Sequence, residues 1–379
     1  MATTGPGDVF QLIRDGRVRT RTEVADETGL SRTSVVVKVA ALLELGLIVP
    51  AGLASSSGGR PASRFMFSPR SRAIIGIELG ATHGTIGVTD LNGEVLARKH
   101  HTLNIADGPE RVLGLALDSA TKLLETTGYG VADIMGIGIG VPGPVQHATG
   151  QLIRPPIMPG WDGVDIPLAV RRRFDVPVLV DNDVNLLALG ERANVWPDVD
   201  DLVFIKVSTG IGAGIISGGA LQRGATGSAG DIGHVQVPHG KGDNDLEDTA
   251  SGPAIARELS NVGSEIDPSK VIELIRTGDP AAIDAAREAG RAIGEIAAIC
   301  VSMLNPSTLV IGGSLGSQVQ EILAGIREVV YRRSIPLATQ QLNIVPAQGG
   351  LDAGIRGAAL MVIETRLSRA AIDEMSTSN

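Results

Sequence analysis

One plan of strands and turns occurs twice in this chain, about one domain-length apart, and it narrows the possible folds more than any other feature. Ile74 to Glu78 is an apolar run ending in Gly80-Ala81-Thr82. A second run, Gly84 to Asp90, turns at Leu91-Asn92-Gly93 into a third, Glu94 to His101. Later, Leu202 to Val207 leads into Ser208-Thr209-Gly210, then Ile211 to Ile216, then a turn at Ser217-Gly218-Gly219 into Ala220 to Arg223. Asn-Gly and Gly-Gly between apolar runs signal hairpins. Helical stretches and further strands follow each meander, among them Ile134 to Val141, Val176 to Val180 and Leu309 to Ile311. The pattern predicts two α/β lobes with a cleft between them rather than one doubly wound sheet.

Three short helical patterns precede the repeat. Val9, Leu12 and Ile13 mark the first. Thr20 opens the second with Glu23 three residues on, the spacing of a capping box, and Gly29 stops it. Ser31 caps a third, in which Val35, Val39, Leu42 and Leu43 recur at helical spacing before Gly46. Two helices joined by a tight glycine turn form a helix-turn-helix, whose second helix lies in the DNA major groove. That helix would present Arg32, Thr33, Ser34 and, a turn later, Lys38 to base edges and phosphates. Leu47 to Pro50 and Arg64 to Phe67 read as two strands around Gly58-Gly59-Arg60-Pro61, a slender wing whose Arg60 fits a minor groove. A Gly/Ser-rich linker is the alternative for 51–62, and a small bundle that binds protein is the alternative for the whole module.

Charge separates this module from the rest. The chain carries −9, yet residues 1–72 hold ten Lys/Arg against six Asp/Glu. A basic module that meets DNA and an acidic body that does not are the expected arrangement. Aromatic residues are only 2%, too few to stack the bases of a single strand. The lone Cys300 sits in an apolar run and permits neither an internal disulfide nor an all-cysteine zinc site. No long apolar run and no leader pattern is present, so a cytoplasmic protein without membrane contact is expected.

In the body, three glycine-rich turns follow buried strand runs, where backbone N–H groups can cradle phosphates: Gly80-Ala81-Thr82, Ser208 to Gly214, and Gly312 to Gly316. Gly138-Ile139-Gly140-Val141-Pro142-Gly143 matches the dinucleotide fingerprint in letters only. Pro142 and Pro144 stand where a helix should open, which excludes that site. Asp181-Asn182-Asp183 ends a strand run and precedes a helical stretch. A carboxylate there either deprotonates a sugar hydroxyl or caps the helix.

Taken together, these segments resemble the ROK family (repressor, open reading frame, kinase), in its repressor-type form with an added winged helix. The likeness runs over nearly the whole length. Gly58 to Pro61 matches the family's wing, and Glu78-Leu79-Gly80-Ala81-Thr82-His83 stands where kinases carry Asp-x-Gly-Gly-Thr-Lys. Asp181-Asn182-Asp183 matches Glu-Asn-Asp, which puts Asp183 at the catalytic-base position and Asn182 beside it as a sugar ligand. Asp231-Ile232-Gly233-His234 matches Glu-x-Gly-His, Glu247 matches a sugar-contacting glutamate, and Leu304-Asn305-Pro306 with Ile311-Gly312-Gly313 matches the adenosine side.

The resemblance implies an α/β chain: a winged helix-turn-helix over residues 1–72 and a two-lobed, actin-like, sugar-kinase-like ATPase fold. Its first lobe covers 73–190, joined by the C-terminal helix 355–379, and its second covers 191–354. It further implies sugar binding by Asn182, Asp183, Asp231, His234 and Glu247. A nucleotide-phosphate set would comprise Glu78, Gly80, Thr82, Thr209, Gly210, Gly212 and Gly313. Departures from the family pattern bear on the chemistry. Pro238, Gly240 and Asp245 replace three zinc-binding cysteines, so no zinc is expected. His83 replaces a lysine, and Ile157 replaces the amide of a Pro-Asn-Leu-Pro-Gly-Trp motif. The expectation is a sugar-responsive transcriptional regulator, a repressor, acting on a double-stranded operator as a homodimer or homotetramer without a required cofactor. The rival is an ATP- and Mg-dependent hexose kinase carrying a DNA-binding module, with Asp183 as its base.

Overall fold

The computed structural model describes residues 5–53, 62–238, 244–260 and 266–377. The amino-terminal module contains α1 (Pro6–Ile13), β1 (Arg19–Thr20), α2 (Arg21–Thr28), α3 (Arg32–Glu44), β2 (Ile48–Leu53) and β3 (Ser63–Phe67). The Thr20 hydroxyl accepts the Glu23 N–H and Glu23 returns the bond to the Thr20 N–H, so the capping box closes. Gly29, at φ 69°, then ends α2 in the left-handed region that glycine tolerates. Ser31 caps α3 through the Ser34 N–H. β3 pairs antiparallel with both β1 and β2, the sheet of a winged helix. The wing itself, Gly58 to Pro61 with Arg60, lies outside the described residues.

The first lobe opens with β4 (Ala73–Leu79), β5 (His83–Thr89), β6 (Val95–Thr102), α4 (Pro109–Thr127) and β7 (Ile134–Val141). It continues with the hairpin β8 (Val145–Gln146) and β9 (Gln151–Leu152), then α5 (Ile166–Arg171) and β10 (Val178–Asn182). Its sheet runs β10-β7-β4-β5-β6, with β10, β7 and β4 parallel and β4-β5-β6 the antiparallel meander. The central helix α6 (Asp183–Val195) leads to the second lobe's meander, β11 (Leu202–Val207), β12 (Ile211–Ser217) and β13 (Ala220–Leu221). After these come α7 (Leu246–Ala250), α8 (Gly252–Ser260), α9 (Val271–Arg276), α10 (Pro280–Leu304) and β14 (Thr308–Gly312). The chain ends with α11 (Gly313–Gly316), α12 (Gln320–Arg333), α13 (Pro336–Thr339), β15 (Asn343–Pro346), α14 (Asp352–Arg366) and α15 (Arg369–Thr377). The second sheet runs β13-β12-β11-β14-β15. Each lobe thus has its own meander, as the sequence repeat predicts.

Glycines set the spacing of the layers. A Cβ on Gly357 of α14 would sit 1.8 Å from the Leu186 carbonyl oxygen of α6, so these helices pack backbone to backbone. Gly138, part of the false dinucleotide fingerprint, is small for the same reason: a Cβ there would lie 2.1 Å from the Ala358 carbonyl oxygen. Its purpose is to seat α14 on β7. The two lobes keep separate aliphatic cores, around Ile75, Ile137 and Trp161 in the first and Ile205, Ile293 and Ile326 in the second.

A third core joins the amino-terminal module to the body. Val9, Phe10, Val35 and Phe67 pack in one cluster with Met135, Val362, Leu367 and Ile372. The Gly7 N–H donates to Asp373 Oδ1 at 2.7 Å, and Gln11 Nε2 donates to the Leu367 carbonyl at 2.6 Å. The module is therefore docked on α14 and α15 through both apolar burial and hydrogen bonds.

Candidate functional site: an inter-lobe cleft and an exposed helix

β10 runs into α6 with no intervening loop, which puts three polar residues at the mouth of the cleft. Asn182 is the N-cap: its Oδ1 accepts the Val184 N–H at 2.9 Å, and its Nδ2 donates to the Gly143 carbonyl at 3.0 Å. The cap is thus Asn182, and neither flanking aspartate fills that role. Both of its amide groups are occupied, although the residue still lines the cleft. Asp181 and Asp183 are both buried and both meet cations from the second lobe. Asp181 Oδ2 accepts from Arg223 Nε at 2.6 Å, while Asn185 Nδ2 donates to its Oδ1 at 2.8 Å.

Asp183 accepts a hydrogen bond from Lys206 Nζ, near the end of β11. Burial pushes the Asp183 carboxyl up, against the pull of the lysine charge. Burial also opposes the Lys206 charge, but Asp183 outweighs it and raises the lysine above its ordinary value. Behind this pair, Glu78 is buried with its Oε1 3.4 Å from His83 Nε2, and that contact raises the His83 pKa.

The cleft brings all five candidate sugar ligands together: Asn182, Asp183, Asp231, His234 and Glu247 all line it. Glu247 Oε2 accepts the Ile211 N–H at 2.9 Å, fixing the carboxylate beneath the Ser208 to Gly214 turn. Gly210 has to be small there, since a Cβ would stand 2.7 Å from that oxygen. His234 is exposed, its Nδ1 3.0 Å from Asp245 Oδ2, and this contact raises its pKa. Asp231 is also exposed.

Of the candidate phosphate residues, Thr82, Thr209, Gly210 and Gly212 line the same cleft. Glu78, Gly80 and Gly313 do not. Gly80 packs on the His83 ring, and Gly313 begins α11 at φ 83° against the Val207 backbone. Three of the seven therefore shape the walls from behind.

Sequence reasoning missed Lys206 and Arg223, which also sit among these groups. Lys206 had a legible signal, a single charge within the apolar run Leu202 to Val207. Arg223 had none, because its partner lies on the other lobe.

On α3, Arg32 and Thr33 are exposed, while Ser34 and Lys38 are half-buried. Val36 and Val37 stand beside them in solvent. The basic excess of the module is smaller at its surface than in its sequence. Arg19 is buried and bonded to Asp15 and Glu27, which holds the Asp15 carboxyl at about 2.

Two five-stranded α/β lobes around a polar cleft, with a winged helix-turn-helix docked on the C-terminal helices, define an actin-like, sugar-kinase-like body joined to a DNA-binding module. Comparison with known proteins gives the family. The ROK family model matches residues 74–365. A xylose repressor of Caldicellulosiruptor bescii is 30% identical over 95% of each chain, and the DNA-binding transcriptional dual regulator NagC of Escherichia coli is 27% identical over 88% of each. The crystal structure of a ROK family transcriptional regulator, a homolog of the E. coli MLC protein, superposes with a TM-score of 0.80 at 26% identity, covering 99% of this chain and 98% of that one. A ROK family glucokinase from Streptomyces griseus, solved with glucose and AMPPNP, superposes with a TM-score of 0.65 at 28% identity, covering 76% of this chain and 98% of its own. The chain belongs to the ROK family.

Proposed function

We propose that this chain is a sugar-responsive, DNA-binding transcriptional repressor whose cleft binds an effector without phosphorylating it. The observation that carries this reading is the Lys206 ammonium on Asp183. A general base has to take up a proton, and here one carboxylate oxygen is held by a buried cation whose charge opposes that protonation. Glu78, which stands where kinases carry the aspartate of Asp-x-Gly-Gly-Thr-Lys, is likewise engaged by His83. Four glycine-turn and threonine positions remain on the cleft wall, but Asp183 and Glu78, engaged by Lys206 and His83, do not fit a divalent ion. Zinc does not fit either. His234 faces Asp245 where the family's thiolates would stand, Gly240 lies outside the described residues, and no group of three His, Cys, Asp or Glu side chains gathers among the described residues.

Effector binding falls to groups that accept and donate around a monosaccharide or its derivative. Asp231 and Glu247 accept from hydroxyls, and the Lys206 ammonium supplies donors beside Asp183. Arg32, Thr33, Ser34 and Lys38 contact the operator, with Arg60 reaching a minor groove. Residues 1–72 serve as the DNA-binding domain, 73–190 with 355–379 as the first lobe, and 191–354 as the second. A palindromic operator calls for two modules, hence a homodimer or homotetramer in the cytoplasm. No helix among the described residues is long and apolar enough to cross a membrane. To change operator affinity the sugar has to bind two states unequally, with a coupling of about 1–3 kcal/mol.

The test is binding of the full chain to its own upstream DNA, with and without a panel of sugars, at two salt concentrations. Salt-dependent binding that one sugar shifts is the expected result. An absence of specific binding, with ATP-dependent phosphorylation of a sugar that Asp183→Asn abolishes, would make it a kinase.

A further inference from the structure

A second cavity, of about 450 Å³, lies where the DNA-binding module meets the body. Leu45 and Leu47 at the end of α3, Met135 on β7, Pro177 before β10 and Met375 on α15 give it apolar walls. Its charged groups are two guanidiniums, Arg72 and Arg366, and one carboxylate, Asp175. Arg366 Nε is buried and has no hydrogen-bond partner among the described residues. The Arg72 side chain makes a long contact, from Nη1 to the Ala132 carbonyl at 3.4 Å. Neither guanidinium forms an ion pair among the described residues, so the lining carries one unbalanced positive charge beside an open, mostly apolar cavity, which an anion with an apolar body matches.

We propose that this junction cavity is a second ligand site, which takes a small organic anion with an apolar body, a short-chain carboxylate, held through its charged end by Arg366 with Arg72 at the mouth. Guanidinium matches carboxylate in shape and charge, and the surplus of one positive charge selects an anion. Aliphatic walls select the hydrocarbon portion and work against inorganic ions. The walls come from the DNA-binding module, the first lobe and the C-terminal helix at once. An occupant that favours one placement of these parts therefore alters operator affinity, and operator binding alters its affinity in return. That last step rests on the proposed function; the binding itself does not.

Calorimetric titration of the full chain with hexanoate, hexanamide and inorganic phosphate tests the site. Hexanoate should saturate one site per chain, with hexanamide and phosphate each weaker by about tenfold or more. Arg366→Met should weaken hexanoate by about tenfold, and Met375→Trp, which fills the cavity, should abolish its binding even if the arginine variant does not fold. The site is overturned by any of three results: no saturation up to about 10 mM, hexanamide or phosphate binding as tightly as hexanoate, or hexanoate binding unchanged in Met375→Trp. A chain that binds hexanoate but no operator DNA would sink the repressor reading and leave this site standing.

Discussion

Arg223, just past the edge strand of the second lobe, donates from Nε to Asp181 Oδ2 at 2.6 Å, and so ties that lobe to a strand end of the first. Asp181 is only 2% exposed, and its other oxygen is already taken by Asn182 N–H and Asn185 Nδ2. Removing one partner of such a pair strands a buried charge, which costs more than the pair is worth. Arg223→Ala should lower the denaturant-derived stability by about 3 kcal/mol. In a double-mutant cycle with Asp181→Asn, the combined loss should fall clearly short of the two single losses added together. Strict additivity would mean that the contact carries no coupling.

The contact between His83 and Glu78 gives stability a pH dependence of fixed sign. Its hydrogen bond to Glu78 raises His83 above its ordinary value of 6.5, more than burial and the Lys206 charge lower it. A raised folded-state value means that this contribution is complete below about pH 6.5 and fades as pH rises through the higher value in the fold. Unfolding free energies of the wild type and His83→Gln, compared between about pH 5 and 8.5, should therefore converge at the alkaline end. A difference that grows with pH would refute the assignment.

The layers and the ligands were not equally legible in the sequence. Both meanders were readable because Asn92-Gly93 and Gly218-Gly219 are local turn signals between apolar runs, and a hairpin is decided within about ten residues. The capping box at Thr20, the glycine stop at Gly29 and the Ser31 cap are local in the same way. What escaped is pairing between lobes. Lys206 meets Asp183, 23 residues away, and Arg223 meets Asp181, 42 away, because two sheets fold onto one helix, which no local pattern encodes. The helix-cap residue Asn182 makes a further distant contact, since its amide also reaches the Gly143 carbonyl, 39 residues away.

The backbone contact of α14 with α6 leaves no room for a methyl group. Gly357→Ala would force its Cβ against the Leu186 carbonyl oxygen, so the helices have to separate or tilt. Overpacking of this kind costs about 1–3 kcal/mol. Because α14 also carries Val362 and Ile363 of the core shared with the DNA-binding module, the same change should raise protease sensitivity around residues 5–50. Loss of stability confined to the lobes, with the module as resistant as before, would show that the shared core does not transmit the displacement.

Arg32 separates a DNA-contacting α3 from one that only packs. It begins the helix, is exposed, and does not belong to the module's buried core. Its removal should therefore cost the fold little, whereas Val35→Ala, in the core, should cost stability first and DNA binding as a consequence. If Arg32 meets a phosphate, Arg32→Ala should weaken binding to all duplexes alike and reduce the dependence of log affinity on log salt by about one unit. If it meets a base edge, the loss should be about 1–3 kcal/mol on the preferred operator alone, with the salt slope nearly unchanged. Affinity and salt slope both unaltered, in a variant that stays folded, would take α3 out of the interface and leave the module to protein contacts.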